Sequence, residues 1–305
     1  MQAKGIVGRR AGTLKAKRRE SGLGWFFCSP YLLYTLILFL LPLIWAVWLA
    51  TMDWNLISAD KTFVGIGNFT NLFSDKGMLN AFLNAFKYLF LIVVFSSVFG
   101  ITIALLVDKV PSRIQGITSV LFFVPYLTSG VATSVVVKYF FAYNSFFNTF
   151  LREKLNLNIG WFTNDTAAFW VIVIIIVWKL SGYYALFYLA SIKNIPIEVK
   201  EAARLDGASW WTNLTRITLP MILPTINTVV ALATGLSFRI YTEPYLLTAG
   251  SPGTTTWLVE IYHITFTKFK SGYGTAMSLL FAVQMFLVLR LINSGMNKLM
   301  EKFGY

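Results

Sequence analysis

Six apolar runs are spread along the whole chain, at residues 25–51, 82–107, 114–141, 167–190, 221–242 and 273–293, and they constrain the fold more than any other feature. A helix needs about 20 apolar residues to cross the roughly 30 Å hydrocarbon core of a bilayer, and these runs reach or exceed that length. The run at 167–190 is the most apolar, with Val171 to Val177 formed only of valine and isoleucine. The fold class expected is therefore all-α, a polytopic membrane protein of six transmembrane helices. Composition agrees: 56% of residues are hydrophobic and only 13% charged, with a mean hydropathy of +0.65. These values exclude an ordinary soluble domain.

The net charge of +13 invites a nucleic-acid reading, but the cations are not placed for it. Lys4, Arg9, Arg10, Lys15, Lys17, Arg18 and Arg19 precede the first span. Lys109 and Arg113 lie in the second–third turn, and Lys193, Lys200, Arg204 and Arg216 in the fourth–fifth loop. Lys298 and Lys302 follow the sixth span. With six spans, all of these fall on one side. The positive-inside rule places that side, with both termini, in the cytoplasm. The organisation expected is a basic cytoplasmic tail (1–24), a six-span domain (25–296) and a short cytoplasmic tail (297–305). Loops at 53–80, 142–166 and 243–272 fall on the opposite side.

The fourth–fifth loop, about residues 192–218, is polar and helix-prone. Pro196 suits a first helical turn, and Glu198 and Glu201 complement the positive end of a helix dipole. Ala202, Ala203, Arg204 and Leu205 favour helix, Gly207 permits a turn without a Cβ penalty, and Ser209 caps a second short helix. This helix–glycine–helix knob faces the cytoplasm. Glu201-Ala202-Ala203, Asp206-Gly207-Ala208, Ile217-Thr218-Leu219-Pro220 and Pro224 together resemble the cytoplasmic loop of ABC-importer permeases. The resemblance implies a coupling helix that sits in a cleft of an ATPase subunit. Glu198, Glu201, Ala202, Ala203, Asp206 and Gly207 would form it, with Glu201 as a salt bridge or cap, Asp206 as a local brace and Gly207 as the turn.

A glycine-rich phosphate cradle is absent from the sequence. His263 is the only histidine and Cys28 the only cysteine, which rules out a histidine metal constellation and a disulfide framework. Cys28, inside an apolar run, reads as a packing residue. The chain reads as a non-enzymatic subunit. Charges within spans are expensive and are functional candidates by default. Lys87, Lys138 and Arg290 lie toward span ends, where they can snorkel to head groups. Lys179 lies nearer mid-span, on one helical face with Tyr183. Thr234, Ser237 and Tyr241 form a second stripe, and Gly235 permits close helix approach. Hydroxyls and aromatic rings suit a sugar, whereas serine and threonine equally suit helix packing. Lys179 and Arg239 hint at an anionic sugar or phosphorylated polyol.

The run Glu243-Pro244-Tyr245-Leu246-Leu247-Thr248-Ala249-Gly250-Ser251-Pro252 is similar to the segment after the fifth span of carbohydrate permeases, with Ser251 in place of a second glycine. Tyr241-Thr242 stands where many relatives carry Phe-Asp. The sequence is identified with the maltose/glycerol-phosphate type of ABC-importer permease. That resemblance implies a multi-pass protein of the bacterial plasma membrane, importing a sugar or oligosaccharide by ATP-driven alternating access. The implied partners are a second homologous permease, two ATP-binding subunits and an extracytoplasmic solute-binding protein. No cofactor is expected in this chain, with ATP–Mg held by the ATPase subunits. The substrate path would run past Lys179, Tyr183, Thr234, Ser237, Arg239 and Tyr241. An ABC permease for another solute, or a non-transporting membrane assembly or signalling subunit, stands as the alternative.

Overall fold

The computed structural model describes residues 24–58 and 60–304. The basic tail expected at 1–24 lies outside them, apart from Gly24. Five helices are long and apolar enough to cross a membrane, or six if one bent pair counts as a single span. They are α1 (Gly24–Leu49), α3 (Lys76–Asp108), α7 (Asp165–Lys193), the combined segment Leu223–Thr248, and α12 (Ser271–Lys302). The bent pair joins α4 (Ser112–Leu127) to α5 (Gly130–Phe140) at 88°. Shorter helices are α2 (Gly67–Leu72), α6 (Phe146–Leu155), α8 (Ile197–Leu205) and α11 (Trp257–Tyr262). The segment Leu223–Thr248 divides into α9 (Leu223–Phe238) and α10 (Thr242–Thr248).

One expectation needs correction. The run 114–141 is not one straight helix. Pro125 leaves the carbonyl a turn earlier without its N–H partner, and Thr128 and Ser129 turn extended, with ψ of 139° and 132°. The described chain is mostly helical, as expected of the all-α class, and adds an antiparallel hairpin of β1 (Met52–Trp54) and β2 (Lys61–Phe63). Lys61 Nζ holds it to the end of α1, 4.8–5.5 Å from the ring centroids of Trp45, Trp48 and Trp54. α12 runs to Lys302, so the segment expected as a tail at 297–305 begins as a continuation of the last helix. Cys28 is exposed on α1 and does not pack in a core.

The core lies between α3 and α7, which run parallel. Tyr88 meets Phe169 at one end, with ring centroids 4.7 Å apart. Further along, a Cβ added at Gly100 would lie 3.2 Å from Tyr188. Ser96, Gly100 and Ala104 recur every fourth residue on the buried face of α3. Such small residues let membrane helices approach closely. The opposing Tyr184 and Tyr188 are fully buried. At the loop end, Asn84 Nδ2 donates to Pro252 O and Thr255 O at 3.0 and 3.1 Å, and Tyr88 OH donates to Thr254 O at 3.1 Å.

Proline also shapes the helix interiors. A π turn at Leu36–Leu40 precedes Pro42, and another at Leu214–Thr218 precedes Pro220. In each, the residue just before the proline donates five residues back, Leu41 to Leu36 and Leu219 to Leu214. The wider turn relieves the crowding that a proline ring imposes on the preceding turn.

The tightest approach is between α4 and α7. A Cβ on Gly182 would fall 1.7 Å from the carbonyl oxygen of Phe122, a backbone atom that no rotamer change removes. Gly182→Ala is expected to destabilise the bundle by about 1–3 kcal/mol, the usual cost of overpacking. Thermal melting of the detergent-purified protein checks this, and an unchanged midpoint contradicts the packing.

Candidate functional site

Charge and broken backbone meet near the centre of the bundle. Lys179 is the central residue of α7 (Asp165–Lys193), and an ammonium there needs a partner. It has two. Nζ donates to Thr128 O at 3.0 Å, the carbonyl at the bend between α4 and α5. Nζ also lies 3.9 Å from Glu243 Oε1, with both side chains 13% exposed. Glu243 belongs to the first turn of α10, just past a second break at Arg239–Tyr241, so one lysine joins the two interrupted segments. Thr256 Oγ1 donates to the Ile240 carbonyl inside that break, at 2.7 Å.

Gly130, the first residue of α5, makes room for the acid: a Cβ there would meet Glu243 Oε1 at 3.2 Å and Thr242 Cγ2 at 3.3 Å. The positive end of α5 faces the carboxylate as well. Lys138, expected to snorkel, instead donates from Nζ to Leu246 O at 3.1 Å, tying α5 to α10 a second time. Beside the junction, Tyr126 and Tyr183 stack with centroids 4.2 Å apart and planes 6° from parallel.

The remaining path candidates separate into two groups. Thr234 and Ser237 are buried, and their hydroxyls donate to Val230 O and Ala233 O of their own helix at 2.8 and 2.7 Å. They therefore occupy packed positions in this conformation. Arg239 is exposed and donates from Nε to Gly235 O at 3.3 Å. Tyr241 stacks on Tyr245 at 5.1 Å, and both rings contact Tyr262. His263 lies 5.9 Å from Tyr245 in the same cluster. Lys179 and Tyr183 are thus adjacent at the junction. Tyr241, the last residue of the second break, instead belongs to a tyrosine cluster with Tyr245 and Tyr262.

Glu243, Thr128, Gly130 and Tyr126 were not among the sequence candidates. Glu243 had a usable signal: a carboxylate at the end of an apolar run needs a cation, as Lys179 needs an anion. A cleft of about 770 Å³ also opens between α3, α4 and α7, lined by Phe95, Phe99, Phe122, Trp170 and Trp178. Its wall is apolar apart from Thr102 and Ser181, which suits acyl chains or a packed helix better than a polyol.

The knob takes the expected form. Pro196 stands just before α8 as its cap residue instead of inside the first turn, and Glu198 lies in that turn. Ala203 is buried, whereas Glu198, Glu201, Ala202 and Asp206 are exposed. Gly207 has φ +68°. The Gly207 N–H donates to Arg204 O at 3.1 Å and the Ala208 N–H to Ala203 O at 3.0 Å. That pair of bonds closes a helix C-terminus with glycine in the left-handed position. The brace expected of Asp206 is not formed: its side chain makes no hydrogen bond or ion pair among the described residues, and the backbone alone closes the turn. Ser209 Oγ accepts from Thr212 N–H at 3.2 Å, capping the next turn. Ile197 and Leu205 stand 64% and 89% exposed on a helix that is otherwise largely polar. Trp210 lies 6.0 Å from Lys109 Nζ, so the knob touches the α3–α4 turn.

Residues 96–301 match the family described as binding-protein-dependent transport system inner membrane component. The chain is 30% identical over 285 residues to the probable starch degradation products transport system permease protein AmyD of Thermoanaerobacterium thermosulfurigenes, covering 92% of this chain and 94% of that one. It is 26% identical over 270 residues to the trehalose/maltose transport system permease protein MalF of Thermococcus litoralis, covering 88% and 91%. Among solved structures, a chain of a bacterial alginate ABC transporter, in complex with its alginate pentasaccharide-bound periplasmic protein, shares the fold. The TM-score is 0.81 at 22% identity, over 93% of this chain and 97% of that chain. The family match, the apolar helices and the fold lead to one conclusion: this chain belongs to the binding-protein-dependent transport system inner membrane component family, the multi-pass permease subunits of ABC transporters.

Proposed function

We propose that this chain is the permease subunit of a binding-protein-dependent ABC importer that brings a sugar or oligosaccharide into the cytoplasm. Relatives named for starch degradation products, trehalose/maltose and diacetylchitobiose support the solute class. The observation that carries the mechanism is the exposed α8 knob, whose Ile197 and Leu205 have no partner surface within the described chain. In this reading the bent α4–α5 pair is the third of six spans, both termini are cytoplasmic, and α8 is the coupling helix. Its face would fill a cleft of an ATP-binding subunit, with Glu201 at the rim. Two such subunits would hold ATP–Mg and supply the work, this chain holding no cofactor. A second homologous permease and an extracytoplasmic binding protein complete the assembly.

The substrate path runs past the central junction. The Tyr126–Tyr183 stack and Tyr241 offer rings to the C–H faces of a sugar. Lys179, Glu243 and Arg239 exchange hydrogen bonds with its hydroxyls. Thr234 and Ser237 hold α9 in place beside the path.

Two outcomes follow. Leu205→Asp is expected to reduce co-purification of the ATP-binding subunit by about tenfold or more, since an unpaired charge buried at an interface centre costs at least that much, and Glu201→Lys, at the rim, to reduce it less, while the membrane level of the chain is unchanged. Undiminished co-purification of both variants rules out α8 as the dock. Deletion of the chain is expected to abolish uptake of labelled maltooligosaccharide or trehalose by intact cells, and Tyr183→Ala to raise the half-saturation concentration. Uptake of every sugar tested persisting after deletion, with no paralogue compensating, removes the sugar assignment.

A further inference from the structure

Bonds at the junction divide its helices into two units. The first contains α4 and α7, pinned at three points. At one end the Gln115 amide donates from Nε2 to Val107 O at 2.8 Å, and its Oε1 accepts from Lys193 Nζ. Midway, Phe122 O lies against Gly182. At the other end Lys179 holds Thr128 O. α7 leads through residues 194–196 into α8, so a short link joins this unit to the knob. The second unit contains α5 and α10, joined where Lys138 bonds Leu246 O and where Thr242 and Glu243 crowd Gly130. Between the units the chain runs extended through Thr128 and Ser129, turning by 88°.

The Lys179–Glu243 pair crosses from one unit to the other. We propose that this ion pair is a solute-sensitive latch, which keeps the α5–α10 unit closed on the α4–α7 unit until a hydroxyl-rich solute separates the two charges. At 3.9 Å the pair is attractive without the short contact of a tight hydrogen bond. A sugar hydroxyl both donates and accepts, so it can accept from the lysine and donate to the carboxylate at once. Inserted between them, it leaves each charge satisfied while releasing the direct hold. The population of the closed form then falls by the differential binding of the solute to the opened junction. This inference rests on the transport reading above and names the control element within it.

The complete reconstituted transporter tests it, with ATP hydrolysis measured with and without solute-loaded binding protein. The wild-type complex comes first: no stimulation by any loaded binding protein contradicts the transport reading itself, independently of the latch. With wild-type stimulation in hand, Glu243→Gln and Lys179→Met are each expected to raise solute-independent hydrolysis about fivefold or more, the low end of typical coupling effects. The charge-exchanged double variant Lys179→Glu/Glu243→Lys is expected to bring it part of the way back. Gly130→Ala, which keeps both charges but displaces Glu243, is expected to act in the same direction more weakly. If the single variants keep wild-type solute-free hydrolysis and change only the half-saturation for uptake, the pair is a solute ligand and the latch is wrong. If they lower the melting temperature without raising hydrolysis, the pair is a structural staple and the latch is wrong as well.

Discussion

A cation at the centre of a long apolar helix has to be neutralised, and much of the inner architecture is arranged around that need. Lys179 on an isolated helix in hydrocarbon costs at least about 2.5–3.5 kcal/mol. Here the cost is offset by a backbone carbonyl freed at one helix break and a carboxylate supplied beyond another. The breaks and the charge therefore explain one another. Irregular backbone at membrane depth is tolerated only where protein or a wet cavity receives its polar groups. Thr128 O meets Lys179 Nζ, and Ile240 O meets Thr256 Oγ1. Remove the lysine, and the bend at Thr128 loses the group that makes it affordable.

The same logic explains how legible each part was in the sequence. Hydropathy located the apolar segments, because the transfer cost of backbone and side chains dominates over lengths of 20 residues. It did not reveal the bend at Thr128–Ser129, because the residues on both sides are equally apolar and its local marks, Pro125 and Ser129-Gly130, are also tolerated within membrane helices. The knob was readable to within a residue or two, since Gly207 at φ +68° is a local backbone requirement that local sequence expresses. Pro196 was misplaced by one position, at a boundary set by cap geometry. The hairpin at Met52–Phe63 escaped notice because it is held by distant groups, Asn68 Nδ2 bonding Ala50 O and Met52 O among them. Glu243 was read as part of a family segment, and its partnership with Lys179 depends on two breaks that no local pattern encodes.

Thr234 and Ser237 carry the complementary lesson. A stripe of hydroxyls on a membrane helix has two uses, and spacing alone does not choose between them. Each hydroxyl returns its hydrogen bond to the preceding turn, so a buried side chain is satisfied without any external partner. Arg239, exposed, and Tyr183 and Tyr241, half-buried, keep open surface that the two hydroxyls lack. Burial, which only the folded arrangement supplies, separates packed hydroxyls from open side chains.

Helix α1 shows why hydropathy and packing are separate variables in a membrane. Its most apolar stretch has a mean hydropathy of 2.4 yet is 6% buried, whereas the corresponding stretch of α7, at 1.8, is 67% buried. The more apolar helix is the less enclosed. In water that order would be an anomaly, but lipid tails solvate leucine as well as another helix does, so apolarity provides no drive toward the bundle. What draws α7 inward is the glycine that meets Phe122 O, the lysine that needs a carboxylate, and tyrosines seated against small residues of α3. α1 offers such contacts only near its last turn: Trp45 and Trp48 flank Lys61, and Gly272 lets the chain leaving the helix approach α12. It is tethered at that end and left to lipid, or to a neighbouring subunit, along the rest of its length.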